Sequence, residues 1–303
     1  MNRRLAVLSL GGGVQSSTLL LMACTGQLGP LDAVIFSDTR GELPATYRYL
    51  DYLRDHAEQA GIRFLTVSAG DLRRDVVARH GRGGQPSLPV RVRHHDGRLG
   101  RLNRYRCSYD YKRRPITRAV KQLCGPPGAW KRTTVEQWIG YSTDEIARVK
   151  PADECRCGHK RIRRATSTQP FEQIHDTTGC HRCTCTSFDP WQINRWPLIE
   201  LGVSRDDCHH WLRRHHYRIP DRSACWFCPN RPASHWRWLR RHEPHLWADA
   251  VTLDDFLRAG INGLHGQAFL HQSGLPLAHA ITDVPAPDDG ADGMDCEAGV
   301  CFT

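Results

Sequence analysis

The chain has 303 residues, of which 40% are hydrophobic and 24% charged, with a formal net charge of +10. That length can bury a full core, and the balance excludes a disordered or fibrous protein. No apolar run reaches the roughly 18 residues that a membrane helix needs. Positive charge gathers between Arg79 and Arg118, whereas the stretch from Asp283 to Thr303 carries six acids and no base. A basic middle suits a polyanion such as nucleic acid or a phosphorylated nucleotide, although Arg outnumbers Lys throughout and part of the charge is compositional habit. The opening Met1–Gly13 pairs two arginines with apolar residues. It breaks at three glycines without a small-residue cleavage site, so a buried first strand and a cytoplasmic protein are expected. Thirteen cysteines without an export signal point to metal ligands or redox groups rather than a disulfide framework.

In chain order, Leu5–Leu10 is predicted as a strand and Ser16–Cys24 as a helix. Ala33–Phe36 is a second strand leading into Ser37 and Asp38. Thr46–Ala60 is a helix with Tyr49, Leu50 and Leu53 on one face, and Phe64–Ser68 is a third strand. Strand and helix in alternation begin a doubly wound parallel sheet, so the predicted class is α/β. Gly81–Gly100 lacks periodicity and is expected to be a mobile loop. Tyr109–Leu123 is predicted helical, and Gln137–Gly140 extended. Pro151–Pro190 is polar and Cys-rich, an insertion ordered by a metal or poorly ordered. Ser204–His216 and Ala233–Leu257 are predicted helices, and beyond Pro276 the composition is that of a tail. The implied units are a nucleotide-binding core at 1–150, the Cys/His-rich insertion at 151–190, a helical part at 191–275 and an acidic tail at 276–303.

The strongest chemical signal is Gly11-Gly12-Gly13-Val14-Gln15-Ser16-Ser17 between a strand and a helix. Glycines let backbone N–H groups approach a phosphate, hydroxyls add donors, and the helix N-terminus adds a favourable dipole. The loop lacks the Lys of a Walker A motif and the spaced glycines of a dinucleotide fingerprint. It resembles the SGG-x-D-S loop of the ATP pyrophosphatases and the phosphoadenylyl-sulfate reductase superfamily, with Gly11 at the usual Ser and Gln15 at the usual acid. Phe36-Ser37-Asp38-Thr39-Arg40-Gly41-Glu42-Leu43-Pro44 resembles that superfamily's DTG-x-x-x-PET segment, and Gly140-Tyr141-Ser142-Thr143-Asp144-Glu145-Ile146-Ala147-Arg148 its GIR-x-DE-x-x-R segment. The resemblance covers Leu5–Arg148. It implies an adenine-nucleotide α-hydrolase-like fold that binds ATP and Mg²⁺ through Gly11, Gly12, Gly13, Gln15, Ser16, Ser17 and Asp38, with Arg148 near the nucleotide and the second substrate.

Cys107-Ser108-Tyr109-Asp110-Tyr111-Lys112 then Pro115 resembles the superfamily's Cys, Lys, Pro segment, with a single cysteine where its iron-sulfur reductases have two; Cys107 and Lys112 are therefore catalytic candidates. Cys225-Trp226-Phe227-Cys228 has a spacing that lets two thiolates face one metal or cluster. One cysteine followed by a later group of three resembles the DNA phosphorothioation sulfurtransferases and related phage proteins, which implies a [4Fe–4S] cluster on Cys107, Cys208, Cys225 and Cys228. If Cys208 is a buried helix residue instead, three ligands would leave an open iron, as in the cluster-dependent tRNA thiolases. A redox dithiol at Cys225 and Cys228, or a zinc pair, is also open. In the insertion, Cys155, Cys157, Cys180 and Cys183 are the preferred set for structural Zn²⁺, with His159, His181 and Cys185 as substitutes. Cys301 or Cys296 resembles the tail nucleophile of sulfonucleotide reductases in role, although neighbouring carboxylates oppose a resting thiolate.

Arg91, Arg93, His94, His95, Arg98, Arg101, Arg104 and Arg106 offer an anion-tracking segment before Cys107. Arg237, Arg240, Arg241 and His242 with Trp236 and Trp238 offer charge and stacking, unless Trp238 packs inward and the arginines are a solvated face. The expected function is ATP-dependent adenylation of an acceptor, a DNA phosphate or a tRNA base, followed by sulfur transfer. A donor such as a cysteine desulfurase would supply the sulfur. Competing readings are a sulfonucleotide reductase and a non-catalytic nucleotide- and nucleic-acid-binding module.

Overall fold

The computed structural model of the chain describes residues 3–80, 87–103, 106–149, 191–260 and 264–281. Five strands form a parallel sheet. They are β1 (Arg3–Leu10), β2 (Ala33–Asp38), β3 (Arg63–Ser68), β6 (Thr133–Ile139) and β7 (Gln192–Arg195). Their order is β3-β2-β1-β6-β7, and every neighbouring pair is parallel. With helices on its faces this is an α/β, Rossmann-like architecture.

The period of two along the strands sorts side chains between the faces. Leu8, Leu10, Val34, Phe36 and Trp138 face one core with α1 (Val14–Cys24), α2 (Pro44–Gln59), α6 (Pro197–Glu200) and α7 (Arg205–Arg214). Leu5, Val7, Ala33, Ile35 and Val135 face the other, against Ile116, Ala119 and Val120 of α5 (Arg114–Leu123). Covering both faces explains why β2 is buried at every position, as parallel strands generally are. Helix α1 is covered on nearly all sides, which its unbroken Leu19–Met22 run requires.

A third core is built from α3 (Leu72–His80), a three-stranded antiparallel sheet and the C-terminal helices. The sheet has the order β5-β4-β8, where β4 is Val90–Arg93, β5 Leu99–Leu102 and β8 Gln267–Phe269. The short helix α4 (Arg106–Ser108) runs through a π-helical turn at Tyr109–Arg113 into α5. Helix α8 (Ala233–His242) and α9 (Pro244–Arg258) are separate, and α10 (Leu277–Ala280) closes the described part.

Four expectations change. Residues 90–102 are a hairpin rather than a mobile loop: Val90 and Val92 are buried, and β4 is completed by β8, a pairing no local pattern shows. The predicted Ala233–Leu257 helix is broken at Glu243, which is pushed out of helical geometry before Pro244. Trp236, not Trp238, packs inward, because the buried stripe of α8 runs through Trp236 and Leu239. The parallel sheet is not complete within 1–150, since β7 lies beyond the insertion. Among the described residues no helix is long and apolar enough to cross a membrane.

Candidate functional site

The chain leaves β1 toward β2 on one side of the sheet, while β6 lies on the other, so the order reverses between β1 and β6. The crevice beyond the carboxyl ends of two such strands is where open α/β sheets bind ligands. Here it is framed by Gly11–Ser17 after β1 and Gly140–Arg148 after β6.

Gly12 turns the chain with φ +73°, a left-handed geometry that glycine adopts without penalty. The Gly11 N–H donates to Ser16 Oγ at 3.1 Å, which pulls the loop back over the start of α1. Ser17 N reaches Gly13 O, but no side chain caps α1 and its first turn carries no acid. The leading N–H groups of α1 therefore lack helical partners and face the crevice with the positive end of the dipole. Gly140 presses against this turn: a Cβ there would lie 2.8 Å from Ser16 Cα and N. Only a glycine at the end of β6 lets the two segments come this close.

Gln15, the position where the resembled loop carries an acid, donates to Glu145 Oε2 at 2.7 Å and to Ser142 Oγ at 3.2 Å. The site thus keeps a carboxylate beside position 15 but supplies it from the 143–148 turn. Glu145 pairs with Arg148, whose guanidinium lies 4.3 Å from the Tyr141 ring centre. Asp144 is held below the usual carboxylate range by the Arg205 N–H at 2.6 Å and by Ser142. That pairing ties the turn to α7.

At the end of β2, Asp38 Oδ1 accepts from Arg40 N at 2.7 Å and Tyr47 OH at 2.9 Å, and Arg40 Nε lies 3.4 Å from Oδ2. Burial and the hydrogen bond to Asp38 raise the Tyr47 phenol well above its ordinary value, so it stays a donor. Arg40 itself sits at φ +61°, a strained geometry for a non-glycine residue that the bond to Asp38 holds in place.

The Cys-x-x-Cys segment docks onto both of these loops. Ser223 Oγ donates to Gly11 O at 2.5 Å and lies 3.3 Å from Glu42 Oε2. Trp226 N donates to Gly41 O at 2.8 Å, and Cys225 Sγ lies 3.0 Å from Thr39 Oγ1. Two successive turns, Cys228 N to Cys225 O and Arg231 N to Cys228 O, bring Cys225, Cys228 and Arg231 to a common side at three-residue intervals. Arg231 is buried, and its guanidinium donates to Ala224 O at 2.6 Å and Arg222 O at 3.2 Å. Burial pushes the Cys225 thiol well up, aided by Glu42 and opposed by Lys112, which comes from the π-helical turn. Buried Glu42, Lys112 and Arg231 thus surround the thiol turn with one negative and two positive charges.

Of the proposed cluster cysteines, Cys107 and Cys228 pack at the edge of the core that holds Cys225. Cys208 does not join them. It lies on the same face of α7 as Leu212, buried against α1 in the other core, and burial raises its thiol to about 11. Among the described residues no three His, Cys, Asp or Glu side chains converge to hold a metal ion. Cys208 therefore sits in a different core from Cys107, Cys225 and Cys228. Cys155, Cys157, Cys180, Cys183 and Cys301 lie outside the described residues.

Sequence reasoning missed Ser223, Thr39, Glu42 and Arg231. Glu42 stood within a quoted motif, but its burial follows only from the docking of residues 223–228. Arg231 carried a faint signal, recurring three residues after the second cysteine. No protein-family model matches the chain, and none of the curated proteins matches it significantly.

Proposed function

We propose that the chain is an adenylating enzyme of the ATP-pyrophosphatase type that couples nucleotide activation to sulfur chemistry. ATP would lie with its phosphates over Gly11–Ser17, where the leading N–H groups of α1 and the glycine turn meet the charge that develops at the α-phosphorus. An acceptor oxygen attacks that phosphorus, the bond to the leaving pyrophosphate breaks, and an acceptor adenylate forms. A sulfur nucleophile then attacks the activated centre and AMP departs with the bonding electrons. Mg²⁺ is commonly held by one or two carboxylates together with substrate phosphates, and Asp38, at the end of β2, is the carboxylate suited to it. The acceptor is expected to be nucleic acid, and the sulfur donor an external persulfide; attack by its outer sulfur leaves an acceptor–S–S–donor link, which a second thiol cleaves at the donor sulfur, so that the acceptor keeps the outer sulfur as a thiolate and donor and thiol end as a disulfide.

The observation that carries this reading is the hydrogen bond from Ser223 to Gly11 O, which fastens the cysteine-bearing turn to the nucleotide loop. A thiol pair held against a phosphate loop serves a reaction in which both take part. The test is incubation with ATP labelled at the α-phosphate, with and without single-stranded DNA or tRNA. Acceptor-dependent AMP and pyrophosphate support adenylation, whereas ADP or no product sinks it. One observation favours a second reading, reduction of a sulfonucleotide: position 15 carries an amide in place of the acid. Release of sulfite from such a nucleotide would establish that alternative.

A further inference from the structure

Helix α8 carries a stripe of rings with no role in the nucleotide site. His235, Trp238 and His242 fall at i, i+3 and i+7, on one helix face. Their planes are nearly parallel: His235 and Trp238 lie 6.1 Å apart at 20°, and Trp238 and His242 lie 5.2 Å apart at 21°. Trp238 is 40% exposed, although Trp236 and Leu239 on the same helix are fully buried. The inner end of the stripe touches the thiol turn, where His235 Nε2 lies 3.4 Å from Trp226 O. The outer end opens to solvent at His242.

Cationic groups lie next to that turn. Helix α8 holds Arg237, Arg240 and Arg241 and no carboxylate. Arg91 and Arg101 of the hairpin line a small open pocket with Pro229 and Asn230, and Arg101 Nη2 lies 3.4 Å from Asn230 Oδ1. Two basic elements therefore adjoin residues 228–232, one of them carrying a ring ladder.

We propose that this surface docks a single-stranded segment of the acceptor nucleic acid, with a base packed on the exposed part of the His235–Trp238–His242 ladder and the backbone held by Arg237 and Arg241 of α8 and by the β4–β5 hairpin. Parallel rings flanked by guanidinium groups match unpaired bases on a phosphate chain. A duplex hides its base faces, so it would engage the arginines alone. The strand would run along the stripe toward Trp226 and Cys228, which brings the acceptor to the thiol turn. This inference rests on nucleic acid being the acceptor, but the binding itself needs no turnover.

The experiment measures fluorescence anisotropy of labelled oligo-dT and oligo-U of about 16 nucleotides with the full chain at several salt concentrations. Trp238→Ala is expected to weaken binding roughly 5- to 150-fold, as expected when one base loses its stacking partner, and Trp238→Phe to recover most of it. The pair Arg237→Ala and Arg241→Ala should weaken binding and flatten the slope of its salt dependence by about 0.7 for each phosphate no longer neutralised. Thermal melts confirm that the variants fold, which the exposure of Trp238 favours. Unchanged affinity in folded Trp238→Ala overturns the proposal, as does equal affinity for polyglutamate or for a duplex of the same length. The pair Arg213→Ala and Arg214→Ala on exposed α7 is the positional control, and a larger decrease there also overturns it. Absent AMP formation with intact, Trp238-dependent binding would refute adenylation alone; no binding at low salt would refute the docking alone.

Discussion

Replacing Gly41 by alanine separates the two loops on which the functional proposal depends. A Cβ at Gly41 would lie 2.6 Å from Phe227 Cε1, 3.0 Å from Cζ and 3.3 Å from Cys225 Sγ. Ordinary carbon contacts lie at about 3.5–4.0 Å, so the two surfaces must part by about 1 Å. Phe227 cannot swing aside, because it is fully buried in the core under the antiparallel sheet. Parting stretches the bond from Trp226 N to Gly41 O, now 2.8 Å, and the Thr39–Cys225 contact. Overpacking of this kind costs about 1–3 kcal/mol, and losing a buried hydrogen bond adds about 1 kcal/mol. Thermal unfolding should shift down by several degrees, at roughly 2–4 °C per kcal/mol for a domain of 150–250 residues. Reaction of Cys225 with an aromatic disulfide reagent, blocked by burial in the parent, should become measurable, and ATP affinity should fall as Ser223 loosens from Gly11. A variant that melts with the parent and keeps Cys225 protected would show that residues 225–228 do not rest on the 39–42 turn. The proposed coupling would then lose its support.

Ser223→Ala removes one donor from the Gly11 carbonyl and from the buried Glu42 carboxylate, and should cost about 1–3 kcal/mol in urea unfolding while weakening ATP binding. Equal ATP affinity in that variant would argue against a loop held from below. Gln15→Glu restores the acid of the resembled motif but sets it against Glu145, now 2.7 Å from the amide. Two carboxylates at that distance share a proton, so the variant should lose stability between about pH 5 and pH 8 relative to the parent, with Arg148 offsetting part of the repulsion. Parallel profiles for variant and parent would count against the Gln15–Glu145 contact. Burial pushes His235 down to about 3 and His271 down to about 4, so both are neutral in the fold. Their contribution is complete above the unfolded value of about 6.5 and is lost as pH falls toward the folded values, by up to about 1.4 kcal/mol per pH unit for each group. Urea midpoints between about pH 7.5 and about pH 5 should decline accordingly, and His271→Asn should make that decline shallower. An equally steep limb in the variant would remove His271 from the account.

The α/β class, the first three strands with their helices, and the loop from Gly11 to Ser17 were legible in the sequence. Each rests on local chemistry: strands covered on both faces read as apolar runs, and a tight left-handed turn into a helix start reads as glycines. Local signal failed where a partner came from far along the chain. The alternation of Val90 to Arg93 was too short to identify a strand, and only β8 makes it one. The helix phase of α8 was hidden because its packing is set by α9 and the surrounding core, which bury Trp236 and leave Trp238 outward. Among the cysteines, spacing paired Cys225 with Cys228, but spacing could not say that Cys208 faces α1 in a different core. The sequence by itself determined the α/β class and that a glycine-rich loop joins the first strand to a helix. Only the tertiary structure decided that Ser223, 212 residues away, closes on Gly11 and that Glu145, 130 residues away, faces Gln15. A hydrogen bond depends on distance in space, and the parallel sheet brings the ends of β1, β2 and β6 together regardless of their separation along the chain.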